Sequence, residues 1–339
     1  MNRMERLQAV VEGKPVDRVP VSAWGHWYME EQKAESFADK MLSFREEYDW
    51  DLIKVHSRAS YHVEPFGFQI DPSNDPAIGH GLFHSPVRTV EDWYKLRPQP
   101  LENEAFDEQL KVLELIRKGM PKDCPLIFTV FTPLDIADKM LDRHADILFD
   151  HIREAPEAVA YGLSVFSETL SRFVRKVTEV GVDGFFFSTK WVNGSKLSVA
   201  QYRDLCLAPD LNMMAAAKGL PFNIMHVCQN EVFLNGFHDY PVSIMHWDDN
   251  GKHNPSLRMG RQLTGHCAGG GVASATLARG TADEVSQKAV NTILENNGTG
   301  MILASGCSIA TAKTPAENLK ALRKAPQKAA ELLEQGKAA

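Results

Sequence analysis

The stretch PFNIMHVC, residues 221–228, is a short apolar run that ends in a histidine and a cysteine; a second run, MILASGC at 301–307, ends in another cysteine. Apolar runs of this length, bounded by Gly and Pro, read as buried strands. Working outward, VPVSAW (19–24), DLIKVH (51–56), LIFTVF (126–131), GFFFS (184–188), VSIMHW (242–247) and RQLTG (261–265) have the same character, which makes eight strand candidates with the first two. Apolar-periodic segments at about 34–48, 103–119, 154–180, 198–218, 282–298 and 315–334 separate them and predict helices. Thr281-x-x-Glu284 and Thr314-x-x-Glu317 have the spacing of capping boxes, in which a hydroxyl and a carboxylate satisfy the free N–H groups of a helix start. Eight strands alternating with helices predict a (β/α)8 TIM barrel, whose site lies at the C-terminal ends of its strands. A doubly wound sheet is the alternative.

On an extended chain, side chains repeat with period two, so His226 and Cys228 point the same way. Cys307 ends its own strand. One imidazole and two thiolates form the soft donor set that zinc prefers, and three protein ligands leave a fourth position open, as catalytic zinc sites do. The competing reading is a buried structural cysteine, which is how Cys124 and Cys206 read. Cys267 is a candidate fourth ligand.

With 339 residues, 44% of them hydrophobic, the chain can bury one large core, and no linker divides it. The expectation is a single domain over 1–339 with an irregular insertion at about 57–100, where Gly, Pro and His are frequent. His62, His80 and His84 in that insertion read as solvent-facing loop residues. No signal peptide or membrane-length apolar run is present, and five sparse cysteines fit reduced thiols, so the expected location is cytoplasmic. A net charge of −7 without a basic tract argues against nucleic acid.

RLQAVVEGKPVDRVPV at the start, GVDGFFFS, the HVC strand end, RQLTGH and the closing GMILASGCSIATAKTPAENLKAL together resemble the uroporphyrinogen decarboxylase superfamily. They are more similar to its zinc methyltransferase branch, which works with corrinoid proteins. The resemblance implies a TIM barrel and a zinc ion on His226, Cys228 and Cys307. It further implies a methyl group carried by a partner's corrinoid and a small thiol, such as coenzyme M, or a methylated O- or N-donor as the other substrate. True decarboxylases carry an arginine-rich loop after the first strand; here it reads WGHWYMEEQ, residues 24–32, with no arginine.

Around that centre, His246, Asp248 and Asp183 are candidate catalytic groups: His246, one strand away from His226, as a further substrate contact or ligand, and the two aspartates as polar contacts or partners of a ligating histidine, which usually donates its other N–H to an acceptor. Either aspartate could instead cap a helix. Trp24, His26, Trp27, Phe66 and Trp247 are candidate substrate contacts, with core packing as the other reading. Gly265, Gly269 and Gly270, in the run GHCAGGG, would let a bulky corrinoid approach closely or else form a tight turn. A homodimer is compatible with the sequence. The alternative function is a metal-free carboxy-lyase acting on a smaller acid, which would need cationic groups such as Arg58 or Arg88. A non-enzymatic corrinoid- or thiol-binding protein is a third reading.

Overall fold

A computed structural model describes residues 1–338. Seven parallel strands form one curled sheet in strict chain order: β1 (Ile53–Val55), β2 (Leu126–Phe131), β3 (Gly184–Thr189), β4 (Ile224–Val227), β5 (Ile244–Trp247), β6 (Cys267–Val272) and β7 (Met301–Ser305). Helices link successive strands, except β4 and β5, which an irregular segment joins; the architecture is α/β and TIM-barrel-like. The expected eighth strand, 19–24, is reduced to an isolated bridge between Val21 and Leu303. It still touches both edges of the sheet. Leu303 N donates to Pro20 O at 2.9 Å, and Asp51 N donates to Val21 O at 3.0 Å.

Alternation along the strands sorts the core into two parts. Phe185 and Phe187 face outward and pack with the surrounding helices. Phe186 faces inward and clusters with Trp24, Ile127, Ile224, Ile244 and Ile302. Each such side chain contributes about 1.5–3 kcal/mol through removal from water. Helix Arg3–Val11 joins the inner cluster through Leu7 and Val10. Asp51 anchors that corner by accepting from Arg6 at 3.0 Å and Arg18 at 2.6 and 2.8 Å.

Helix Ala34–Tyr48 matches its expected bounds, and Glu104–Gly119, Pro156–Val180, Val199–Met214 and Ala282–Glu295 lie close to theirs. The Thr281 box forms, with Glu284 N donating to the hydroxyl at 3.2 Å. The Thr314 box does not. The Thr314 hydroxyl donates to Ala310 O at 3.0 Å and so is spent on the preceding turn.

The main departure lies at 257–272. RQLTG, expected as a strand, belongs to helix Leu257–Thr264, which Gly265 closes in the left-handed conformation at φ 74°. The true strand is the Gly-rich run that follows, β6, where the sequence predicts a tight turn or an opening for a bulky cofactor. The 57–100 region contains two 3-10 turns, Ala59–His62 and Glu64–Phe66, an antiparallel hairpin of Gln69–Asp71 with Gly81–Phe83, and the short helix Val90–Trp93. Among the described residues no helix is long and apolar enough to cross a membrane.

Candidate metal centre

β4 ends with Ile224 and His226 facing inward, and Cys228 follows on the same side. Cys228 N donates to Thr189 O at 2.9 Å, which continues the ladder one residue past the strand. The chain then turns sharply at Gln229, a non-glycine residue at φ 91°. On the far side of the inner space, Gly306 N donates to Val272 O at 2.9 Å and delivers Cys307 just beyond β7. Cys228 Sγ and Cys307 Sγ lie 4.0 Å apart, Cys307 Sγ is 3.8 Å from His226 Nε2, and all three donor atoms fall within 4.8 Å of one another.

Zinc–sulfur bonds of about 2.3 Å and tetrahedral angles place two ligating sulfurs ~3.8 Å apart. The Sγ–Sγ distance of 4.0 Å and the Cys307 Sγ–His226 Nε2 distance of 3.8 Å are within a few tenths of an ångström of that, so the residues fit the metal. Without metal, the two thiols act on each other. The hydrogen bond from Cys228 holds Cys307 well below the usual thiol range. The same bond to Cys307, together with burial, raises Cys228. A metal would take the place of the shared proton.

The three donor residues open onto a cavity of about 230 Å³. Trp24, Phe131 and Phe186 form its apolar walls. Phe186 stacks on His226 with ring centroids 5.2 Å apart. Lys54, Lys139, Lys190 and Arg143 bring basic groups to the same space. Burial lowers the Lys54 ammonium well below its ordinary range, and its Nζ sits 4.1 Å from the Phe186 ring centroid and in contact with His56. Lys139 bonds Asp135 at 2.7 Å, yet burial still brings it down to about 8. Lys190 is raised by Asp135 and by the more distant Asp138.

The candidate residues divide sharply. His226, Cys228, Cys307, Trp24 and His26 come together around the cavity. His246 stands directly behind His226, with the two Nδ1 atoms 2.8 Å apart. The Asp248 carboxylate, raised by burial, packs against Gly306, the residue before Cys307.

Others lie elsewhere. Asp183 is at the N-terminal end of β3, where it accepts from Arg117 at 2.6 Å and from Leu126 N at 2.8 Å. Trp27 packs on Phe44, and Phe66 on Phe166. Trp247 is fully buried on the outer side of β5 and donates to Pro255 O. Gly265 lies at the opposite end of the sheet from the ligands, next to Val10 and Glu12. Gly269 and Gly270 are buried inside β6 rather than presented at the rim. Cys267, the candidate fourth ligand, begins that strand and falls outside the metal-binding cluster.

The insertion histidines are also less exposed than expected, apart from His84. His62 is buried and accepts from Phe131 N at 2.9 Å. His80 lies 3.2 Å from buried Glu31, whose other oxygen bonds His26 at 2.9 Å. Arg58 is tied to Glu64 and Glu108, and so is removed from any anion-binding role in the cavity.

Sequence reading missed Lys54, Asp135, Lys139 and Lys190. The available signal was a lysine in the middle of DLIKVH, since a buried lysine in an apolar strand is rare without a role.

No curated protein matches the chain. Its fold is similar to that of a methyltransferase from Methanosarcina mazei, with a TM-score of 0.79 and 20% identity over 97% of this chain and 99% of that one. A B12-independent methionine synthase from Shewanella sp. W3-18-1, in complex with selenomethionine, is similar at a TM-score of 0.56, with 15% identity and 96% of each chain covered. A putative vitamin-B12-independent methionine synthase from Listeria monocytogenes gives 0.53, with 9% identity over 93% of this chain and 96% of that one. The sequence pattern of the family "Uroporphyrinogen decarboxylase (URO-D)" matches residues 2–329, so the chain belongs to the uroporphyrinogen decarboxylase family.

Proposed function

We propose that the protein is a zinc-dependent methyltransferase that works with a corrinoid methyl carrier, acting on a thiol acceptor or on an O- or N-methyl donor. The observation that carries this reading is the trio His226, Cys228 and Cys307, whose donor atoms converge at zinc-like spacing on the floor of a cavity. Family membership and the likeness in fold to a methyltransferase support it.

His226, Cys228 and Cys307 would hold the metal. Zinc bound there supplies a Lewis acid that favours the thiolate of an acceptor, or withdraws charge from a methylated oxygen or nitrogen. The protein supplies the rest. Two anionic ligands keep the centre electron-rich, and Trp24, Phe131 and Phe186 exclude water from the reacting groups. Lys190 and Arg143 set a positive potential over the cavity. A corrinoid would supply the methyl group to a thiol acceptor, or receive it from a methylated oxygen or nitrogen donor in the other direction. The corrinoid would belong to a partner protein docking at the open end.

One observation favours the metal-free carboxy-lyase: the cavity collects four basic side chains, as decarboxylation of an anionic acid requires. That reading leaves the adjacent thiols without a role.

The test is methyl exchange. Zinc-loaded protein is expected to demethylate a methylcorrinoid with a panel of small thiols, or to methylate cobalt(I) corrinoid from methoxylated aromatics or methylamines, with loss of activity in Cys228→Ala. Failure with every partner, together with release of CO2 from small carboxylic acids, would establish the lyase instead.

A further inference from the structure

His226 and His246 occupy paired register positions on β4 and β5, and their Nδ1 atoms are 2.8 Å apart. A hydrogen bond between two ring nitrogens holds one proton, and the surroundings of His246 decide its owner. His246 Nε2 lies 2.9 Å from the carbonyl oxygen of Ser305. A carbonyl only accepts, so Nε2 must carry a hydrogen. A neutral imidazole has a single N–H, which leaves His246 Nδ1 bare. The shared proton therefore belongs to His226 Nδ1.

The consequence falls on the other side of the His226 ring. With Nδ1 protonated, Nε2 presents its lone pair toward Cys307 Sγ, 3.8 Å away. The reverse assignment would require His246 to hold two protons. That would put an imidazolium on a side chain 1% exposed, whose hydrogen-bond partners among the described residues are only His226 and a carbonyl. Burial disfavours such a cation.

The ring is also held in place. Its register partner on β6 is Gly269, where a Cβ would come within 3.0 Å of His246 Cδ2. Trp24 stands against the ring, 5.1 Å between centroids, and Phe186 at 5.5 Å.

We infer that His246 is a positioning residue: the Ser305 carbonyl fixes its tautomer, and it in turn fixes His226 as the Nε2-ligating tautomer before any metal arrives. Part of the glycine run at β6 then serves to make room for this ring. The inference rests on the proposed metal site only for its metal-binding arm, because the tautomers exist without metal.

The experiment has two arms on one preparation. In metal-free protein labelled with 15N-histidine, ring 1H–15N correlations are expected to show Nδ1–H for His226 and Nε2–H for His246; the opposite pair of tautomers overturns the inference. In chelator competition, His246→Leu is expected to bind zinc about 10–100-fold more weakly than wild type. His246→Gln, whose amide oxygen can accept from His226 Nδ1, should recover most of that loss. A folded His246→Leu with wild-type zinc affinity also overturns it. Wild-type protein that takes up no zinc counts against the proposed function, and the tautomers remain readable in the same sample.

Discussion

Cys228 and Cys307, 79 residues apart in sequence, meet with their sulfurs 4.0 Å apart. They are also the two partly exposed cysteines; Cys124, Cys206 and Cys267 are buried. Thiol counting therefore reports the centre directly. Metal-free native protein should react with a disulfide reagent at two thiols, zinc-loaded protein at none, and denatured protein at all five. Two reactive thiols that zinc leaves unprotected would contradict a shared metal.

Gly269 predicts a packing effect. A larger side chain there must displace His246, so Gly269→Val should lower stability by about 1–3 kcal/mol through overpacking. It should weaken zinc binding at the same time. Equilibrium unfolding with chelator competition tests both, and a variant with unchanged zinc affinity would dissociate the glycine from the site.

Asp210 predicts a pH effect away from the site. It is fully buried and accepts from Tyr202 at 3.0 Å and Tyr240 at 2.9 Å, yet burial raises its carboxyl to about 7. Between about pH 4 and 7 the folded state then holds a proton that the unfolded state has lost. Its contribution is present below the unfolded value and declines as pH rises through the folded one. The stability difference between wild type and Asp210→Asn should shift by roughly 4 kcal/mol from pH 4 to 8, against wild type. A difference independent of pH would show an ordinary carboxylate.

Glu31 joins the rim to the insertion. It is 2% exposed, bonded to His26 and close to His80. Burial pushes its carboxyl up, and the bonds from the two histidines outweigh that and lower it. His80→Ala leaves half of this arrangement, so hydrogen exchange should quicken across 69–83 while the seven-stranded sheet is unaffected. Unchanged exchange there would mean the hairpin is held by other contacts.

The sequence made the alternating plan legible because buried parallel strands are continuous apolar runs with helices between them, as in LIFTVF and GFFFS. It misled at 257–272. Glycine carries no strand signal, yet GHCAGGG supplies β6 because a side chain at Gly269 would collide with His246, a contact only the fold creates. RQLTG looked β-like from its composition, whereas Ser256 caps it as a helix by accepting from Met259 N. The ligand trio was visible because period two and strand ends fix side-chain direction. The basic wall was not. Lys139 and Asp135 lie on helix Pro133–Met140, which the periodic segments had left out, and they reach the cavity through tertiary packing. Trp27, Phe66 and Trp247 follow the general tendency of aromatics to pack in cores.

Zinc content per chain tests the central claim most directly. Protein purified without oxygen and given one equivalent of zinc should retain close to one ion per chain after desalting, and Cys307→Ala should lose it while remaining folded. Wild-type protein that stays metal-free after zinc addition, or a Cys307→Ala variant that keeps its full complement, would contradict the account.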